Sequence, residues 1–116
     1  MIQSQVGLAE GKFRSARAFL LGSLDEIWRS VERTSSLSLD QRVLIRLAST
    51  YAIHQASDVD DTAYHAVGGT AIFATNAFER RFRDMHAVTQ QLQGRPSHFE
   101  TVGRFVLGLD PDSAFL

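Results

Sequence analysis

The chain has 116 residues, 44% of them hydrophobic, a formal charge of -1 and no cysteine. That length suits one domain with a core of its own and is small for a complete enzyme with a built-in cofactor site. The near-neutral charge gives no general attraction to nucleic acid or an anionic membrane, and the lack of thiols excludes disulfide frameworks and thiolate metal sites.

Glu10, Lys12, Arg14 and Arg17 interrupt the first twenty residues, so this stretch reads as neither a signal peptide nor a membrane span, and a cytoplasmic soluble protein is expected. Only two prolines and no strict apolar alternation point to an all-α chain, a single helical-bundle domain over residues 1–116. A first helix is predicted from residue 2 to about 33. Val6, Ala9, Phe13, Ala16, Leu20, Leu24, Ile27 and Val31 step by threes and fours along it, a coiled-coil-like seam, with Phe19 and Trp28 beside it. Glu10 with Arg14 and Asp25 with Arg29 add acid-before-base pairs one turn apart. Such a helix needs partners, because one apolar stripe cannot bury itself.

After a Ser-rich turn, Ser38 and Gln41 have the spacing of a capping box, which starts a second helix near Leu39. It is predicted to run to Val67, with Gly68 and Gly69 as its C-terminal cap. One face holds Ile45, Ala48, Ser49, Ala52, Ala56, Val59, Ala63 and Ala66, small enough for a close helix approach. The other carries Leu44, Leu47, Tyr51, His54, Asp58, Asp61 and His65. The four polar residues have metal-compatible chemistry, yet the chain has no Glu-x-x-His pair of the di-iron type, so the row reads as a solvated or partner-facing stripe. Nothing marks Asp58 and Asp61 as a catalytic carboxylate pair.

Residues 70–75 read as a linker or a short helical turn. Asn76 and Glu79 form another capping spacing, and Phe78, Phe82, Met85, Thr89 and Leu92 share one helical face, so a third helix of about four turns is expected, stopped by Gly94 and Pro96. Arg80, Arg81, Arg83 and Asp84 suit ion pairs with neighbouring helices. His86 lies at the border of the apolar stripe, where a histidine is more often hydrogen-bonded at a core edge than a catalytic base. Ser97 to Glu100 is a further capping spacing, and a last helix is predicted to about Leu107, ending at Gly108. The fold expected is an up-and-down bundle of two long and two shorter helices.

The string from Glu79 to Gln90, ERRFRDMHAVTQ, occurs with Ala66-Val67-Gly68-Gly69 upstream and Thr101 to Leu109, TVGRFVLGL, downstream. Together they resemble the C-terminal helical domain of the acyl-CoA dehydrogenase superfamily. More narrowly they are similar to flavin-dependent monooxygenases that take reduced flavin from a separate reductase and hydroxylate aromatic or polyketide substrates. The likeness runs from about Gln3 to Leu109. It implies a flavin, FAD or FMN, near the end of the second helix, with Gly68, Gly69 and Thr70 as cofactor-binding residues. It also implies a homodimer or homotetramer, a flavin reductase as partner and a small-molecule substrate, with His86 and Gln91 offered to the substrate pocket.

Two departures qualify that picture. Relatives of this kind carry a second histidine five residues after the one matching His86, and here that position is Gln91, which can orient a ligand but cannot take a proton near neutral pH. They also have an N-terminal helical domain and a middle β-domain, and their bundle begins one helix earlier than Met1. The chain is therefore expected to be a piece of a larger flavoprotein, inactive alone. The alternative is a stand-alone helical interaction or small-ligand-binding module without flavin chemistry, and a flavin-independent enzyme is a third reading.

Overall fold

The structure is a computed structural model that describes residues 2–67 and 77–111. Within them the chain forms α1 (Ile2–Thr34), α2 (Leu39–Val67), α3 (Ala77–Thr89), a 3-10 turn (Leu92–Gly94) and α4 (Ser97–Val106). No strand occurs among the described residues, and the all-α bundle expected from the sequence is the fold observed.

Local chemistry fixes the turn between the long helices. The Gln41 amide donates to Ser38 Oγ at 3.2 Å and the Ser38 amide donates to Gln41 Oε1 at 2.9 Å, which completes the capping box. Ser35 adopts a positive φ of 57° and donates back to the Val31 carbonyl, closing α1. So short a connection makes the two helices antiparallel neighbours. Their contacts run in opposite order: Gln41 Nε2 donates to Ser30 Oγ at 2.8 Å, Phe19 meets Tyr51 edge-on, and Lys12 pairs with Asp58 at 3.6 Å.

α2 is the central element. It packs against α1 on one side and against α3, the 3-10 turn and α4 on the other. Among the described residues the buried apolar ones are Ala16 and Ile27 from α1, Val43 and Ala48 from α2, and Val102 from α4, joined by buried Ser23, Thr50 and His98. α1 has α2 as its main neighbour, so only one strip of it is covered. Ala16 and Ile27 of the expected seam are inside, whereas Val6, Phe13 and Leu24 are exposed, alongside Ile2, Leu21 and Trp28. The resulting body is long and thin, 51 × 26 × 24 Å, with a radius of gyration of 16.9 Å against about 13 Å for a compact chain of this length.

Two helix boundaries differ from the sequence reading. α3 ends at Thr89 instead of continuing to Gly94. The Gln90 and Gln91 amides bond three residues back, to Ala87 and Val88, and the chain retightens into the 3-10 turn. The cause is tertiary: α2 holds the carbonyls of Gln93 and Gly94, as described below, and a continuing α-helix would not present them to it. Ser97, expected as the cap of α4, is instead its first residue; Pro96 occupies the cap position and no side chain caps the helix. At its far end Gly108 takes a φ of 77°, the Gly108 amide bonds to Phe105 and the Leu109 amide to Arg104, the Schellman pattern. The capping position expected at Asn76 lies outside the described residues.

Candidate functional site

A cleft of about 550 Å³ opens where α2, the end of α3 and the turn before α4 meet. His54 and Ser57 line it from α2, His86, Thr89 and Gln90 from α3 and its end, and Arg95 and Pro96 from the turn. Its volume falls in the range of small-molecule sites.

The turn is clamped from α2. Thr50, fully buried, donates its hydroxyl to the Gln93 carbonyl at 3.0 Å. One helical turn later His54 Nε2 lies 2.7 Å from the Gly94 carbonyl. A carbonyl only accepts, so Nε2 carries the proton and Nδ1 is left as an acceptor. The His54 ring also packs against Phe99 of α4, with centroids 5.5 Å apart. Gly94 is required by close approach, since a Cβ there would lie 3.1 Å from the Thr89 carbonyl oxygen and 3.2 Å from Ile53 Cγ2. Arg95 and Pro96 are thereby held at the cleft rim.

His86 approaches α2 from the other side. Its Nε2 lies 3.3 Å from Asp61 Oδ1, so an ionised Asp61 accepts the Nε2 proton. The His86 ring rests on Phe82 at 4.3 Å, and Phe82 stacks on Tyr64 at 4.1 Å, which fixes the plane of the imidazole. His65 Nδ1 donates to the Asp61 backbone carbonyl at 2.7 Å. Next to this pair, burial pushes the Asp60 carboxyl above its usual value and the negative charge of Asp61 pushes it further. His86 and Arg81 pull it back, and Asp84 adds to the rise. Asp60 Oδ2 is buried without a hydrogen-bond partner among the described residues.

His86 of the sequence reading therefore lies in the cleft wall with a carboxylate partner. Gln91 is exposed beyond the end of α3 and does not line the cleft; its carbonyl accepts the Gly94 amide at 2.9 Å. Gly68, Gly69 and Thr70 lie outside the described residues. The polar row of α2 is split among separate tasks: His54 clamps the turn, Asp58 pairs with Lys12, Asp61 with His86, and His65 with its own helix. No group of three or more His, Asp or Glu among the described residues is placed to hold a metal. Sequence reasoning missed Arg95 and the clamping role of His54. The available signal was the Gln93-Gly94-Arg95-Pro96 turn, read only as a helix stop.

A family model described as the acyl-CoA dehydrogenase C-terminal domain matches residues 1–95. The chain belongs to this family. Its curated relatives include two monooxygenases. It is 30% identical over all of its 116 residues to an indole-3-acetate monooxygenase of Pseudomonas putida. It is 25% identical over 114 residues, 98% of the chain, to an indole-3-acetate monooxygenase of Acinetobacter baumannii. It spans 30% and 29% of the length of these relatives.

Proposed function

We propose that this acyl-CoA dehydrogenase C-terminal domain serves a flavin-dependent monooxygenase acting on a small aromatic substrate. The observation that carries the reading is His86, oriented by Asp61, in the wall of a cleft of small-molecule size. The likeness to indole-3-acetate monooxygenases, which covers this chain and 29 to 30% of their length, supports it.

In this reading the Asp61 carboxylate holds the Nε2 proton of His86, which fixes the tautomer and leaves Nδ1 to accept a proton from the substrate; Asp61 then stabilises the imidazolium that forms. Ser57 and Gln90 orient polar edges of the ligand. The cleft's flat imidazoles, hydroxyl and amide fit a planar group with polar edges, and Gly68, Gly69 and Thr70 are the residues proposed to face the flavin, FAD or FMN. The flavin supplies oxygen activation when bound, delivered in reduced form by a separate reductase. Gln91, exposed and outside the cleft lining, is given no substrate contact in this reading. The exposed apolar strip of α1, from Val6 through Phe13 to Leu24, is assigned to a homodimer or homotetramer core, and the assembly to the cytoplasm.

The test uses the natural protein purified from its host. Supplied with chemically reduced flavin, oxygen and indole-3-acetate, it is expected to yield a product one oxygen atom heavier, and to sediment as a dimer or tetramer at micromolar concentration. No oxygenated product from indole-3-acetate or a panel of related aromatic acids refutes the monooxygenase reading. A monomer at that concentration refutes the oligomer reading.

A further inference from the structure

We infer that Arg95 makes the cleft a carboxylate site, so that the ligand class it takes is a small aryl carboxylate held by its acid group. The inference rests on the monooxygenase reading for its choice of ligand, and on four observations for its chemistry. None of the described residues lining the cleft is acidic, so an anion entering it meets no like charge from them. Asp61, the nearest acid to His86, is occupied by that histidine. Among the described residues nothing pairs with the Arg95 guanidinium, and Arg95 lines the cleft. Arg95 also follows directly the two carbonyls that Thr50 and His54 hold, so its backbone is fixed where the cleft opens.

Guanidinium and carboxylate match as planar partners that form two parallel hydrogen bonds, which gives direction as well as attraction. The rest of the lining suits the body of such a ligand. The His54 imidazole face and the Pro96 ring offer contact surface to an aromatic ring. Ser57 and Gln90 meet polar edges. A ligand anchored at Arg95 presents its ring toward His86, which lines the same cleft from α3.

The experiment is calorimetric titration of the natural protein, without flavin, with indole-3-acetate and with its uncharged analogue indole-3-acetamide. The wild type is expected to bind the acid about tenfold more tightly than the amide, the scale of one charge-assisted pair at a partly open site. Arg95→Gln is expected to remove that preference while leaving amide binding unchanged, and Arg95→Lys to restore part of it. Arg95 is exposed, so the variants are expected to keep the wild-type circular dichroism. A preference that survives Arg95→Gln, or a wild type that shows no preference or binds neither compound, overturns the inference. Oxygenation with the preference intact in Arg95→Gln leaves the monooxygenase reading standing and this one refuted. Loss of preference in a protein that never oxygenates does the reverse.

Discussion

Thr50→Val isolates the clamp on which the cleft depends. Valine has nearly the shape of threonine, so the substitution leaves no cavity and removes only the hydroxyl that donates to the Gln93 carbonyl at 3.0 Å. Thr50 has no exposed surface, so water cannot take its place from the α2 side. Losing the net value of one hydrogen bond and leaving an acceptor poorly satisfied costs about 1 to 2 kcal/mol. For a chain of this size that lowers Tm by about 4 to 8 °C. Urea unfolding followed by circular dichroism measures the loss, and an unchanged m-value shows that the folded and unfolded states keep their extents. Thr50→Ser, which keeps the hydroxyl, is the companion. It loses a buried methyl worth about 1 kcal/mol, yet it should leave hydrogen exchange at the Gly94 amide at the wild-type rate, while Thr50→Val accelerates it. Stability within about 0.3 kcal/mol of wild type for Thr50→Val, with exchange at Gly94 unchanged, would refute the idea that α2 holds the turn.

Three further outcomes follow from the same geometry. Gly94→Ala places a methyl 3.1 Å from a backbone oxygen that cannot rotate away, and should cost about 1 to 3 kcal/mol in thermal or urea denaturation, despite the entropy lost from the unfolded chain. Under the proposed monooxygenase reading, Asp61→Asn in the natural protein keeps the shape of the partner but not its charge. Oxygenation should fall about 10- to 100-fold with a displaced pH–rate profile, and an unchanged profile would remove Asp61 from the His86 assignment. Asp60 has a folded-state pKa raised above the ordinary 3.8, chiefly by burial, so its ionisation works against the fold. The stability it contributes is complete below that value and is lost as pH rises through the folded pKa. Asp60→Asn should therefore match wild type in acid, below about pH 3.5, and be the more stable protein at pH 7, as read from urea midpoints across that range.

The long helices were legible because their signals are local. The Ser38 and Gln41 capping box lies within four residues, and the periodicity from Val6 to Val31 needs no knowledge of a partner. Which part of that stripe is covered was not legible. α1 turns toward α2 a strip that includes Ser23 and Ser30, small polar residues that allow close approach and that an apolar count passes over. The end of α3 was misread for a similar reason. The Phe82, Met85, Thr89, Leu92 spacing is helical, but Thr50 and His54, some forty positions away in sequence, draw the Gln93 and Gly94 carbonyls out of register. At the site, His86 stood out as a histidine on an apolar border, and Asp61 was visible only as one of a row. Their pairing depends on how α3 docks on α2. Arg95 carried no signal in the sequence, because its place at the cleft is set by the turn and not by any periodicity.

The exposed first turns of α1 have a consequence for how assembly would register on this protein. Its opening turns carry Gly7 and Gly11, each about 1 kcal/mol less favourable in a helix than alanine, and Ile2, Val6 and Leu8 beside them remain exposed. Little tertiary packing offsets those glycines in a single copy, so this end should open at a small fraction of the global unfolding energy, far below Ile27 and its neighbours. Covering the strip in an oligomer would supply the missing contacts where the helix is intrinsically weakest. Amide protection at Gly7 and Gly11 would then rise with protein concentration, while protection near Ile27 would barely change. The first turns of α1 would thus act as a built-in gauge of association, readable without any catalytic assay.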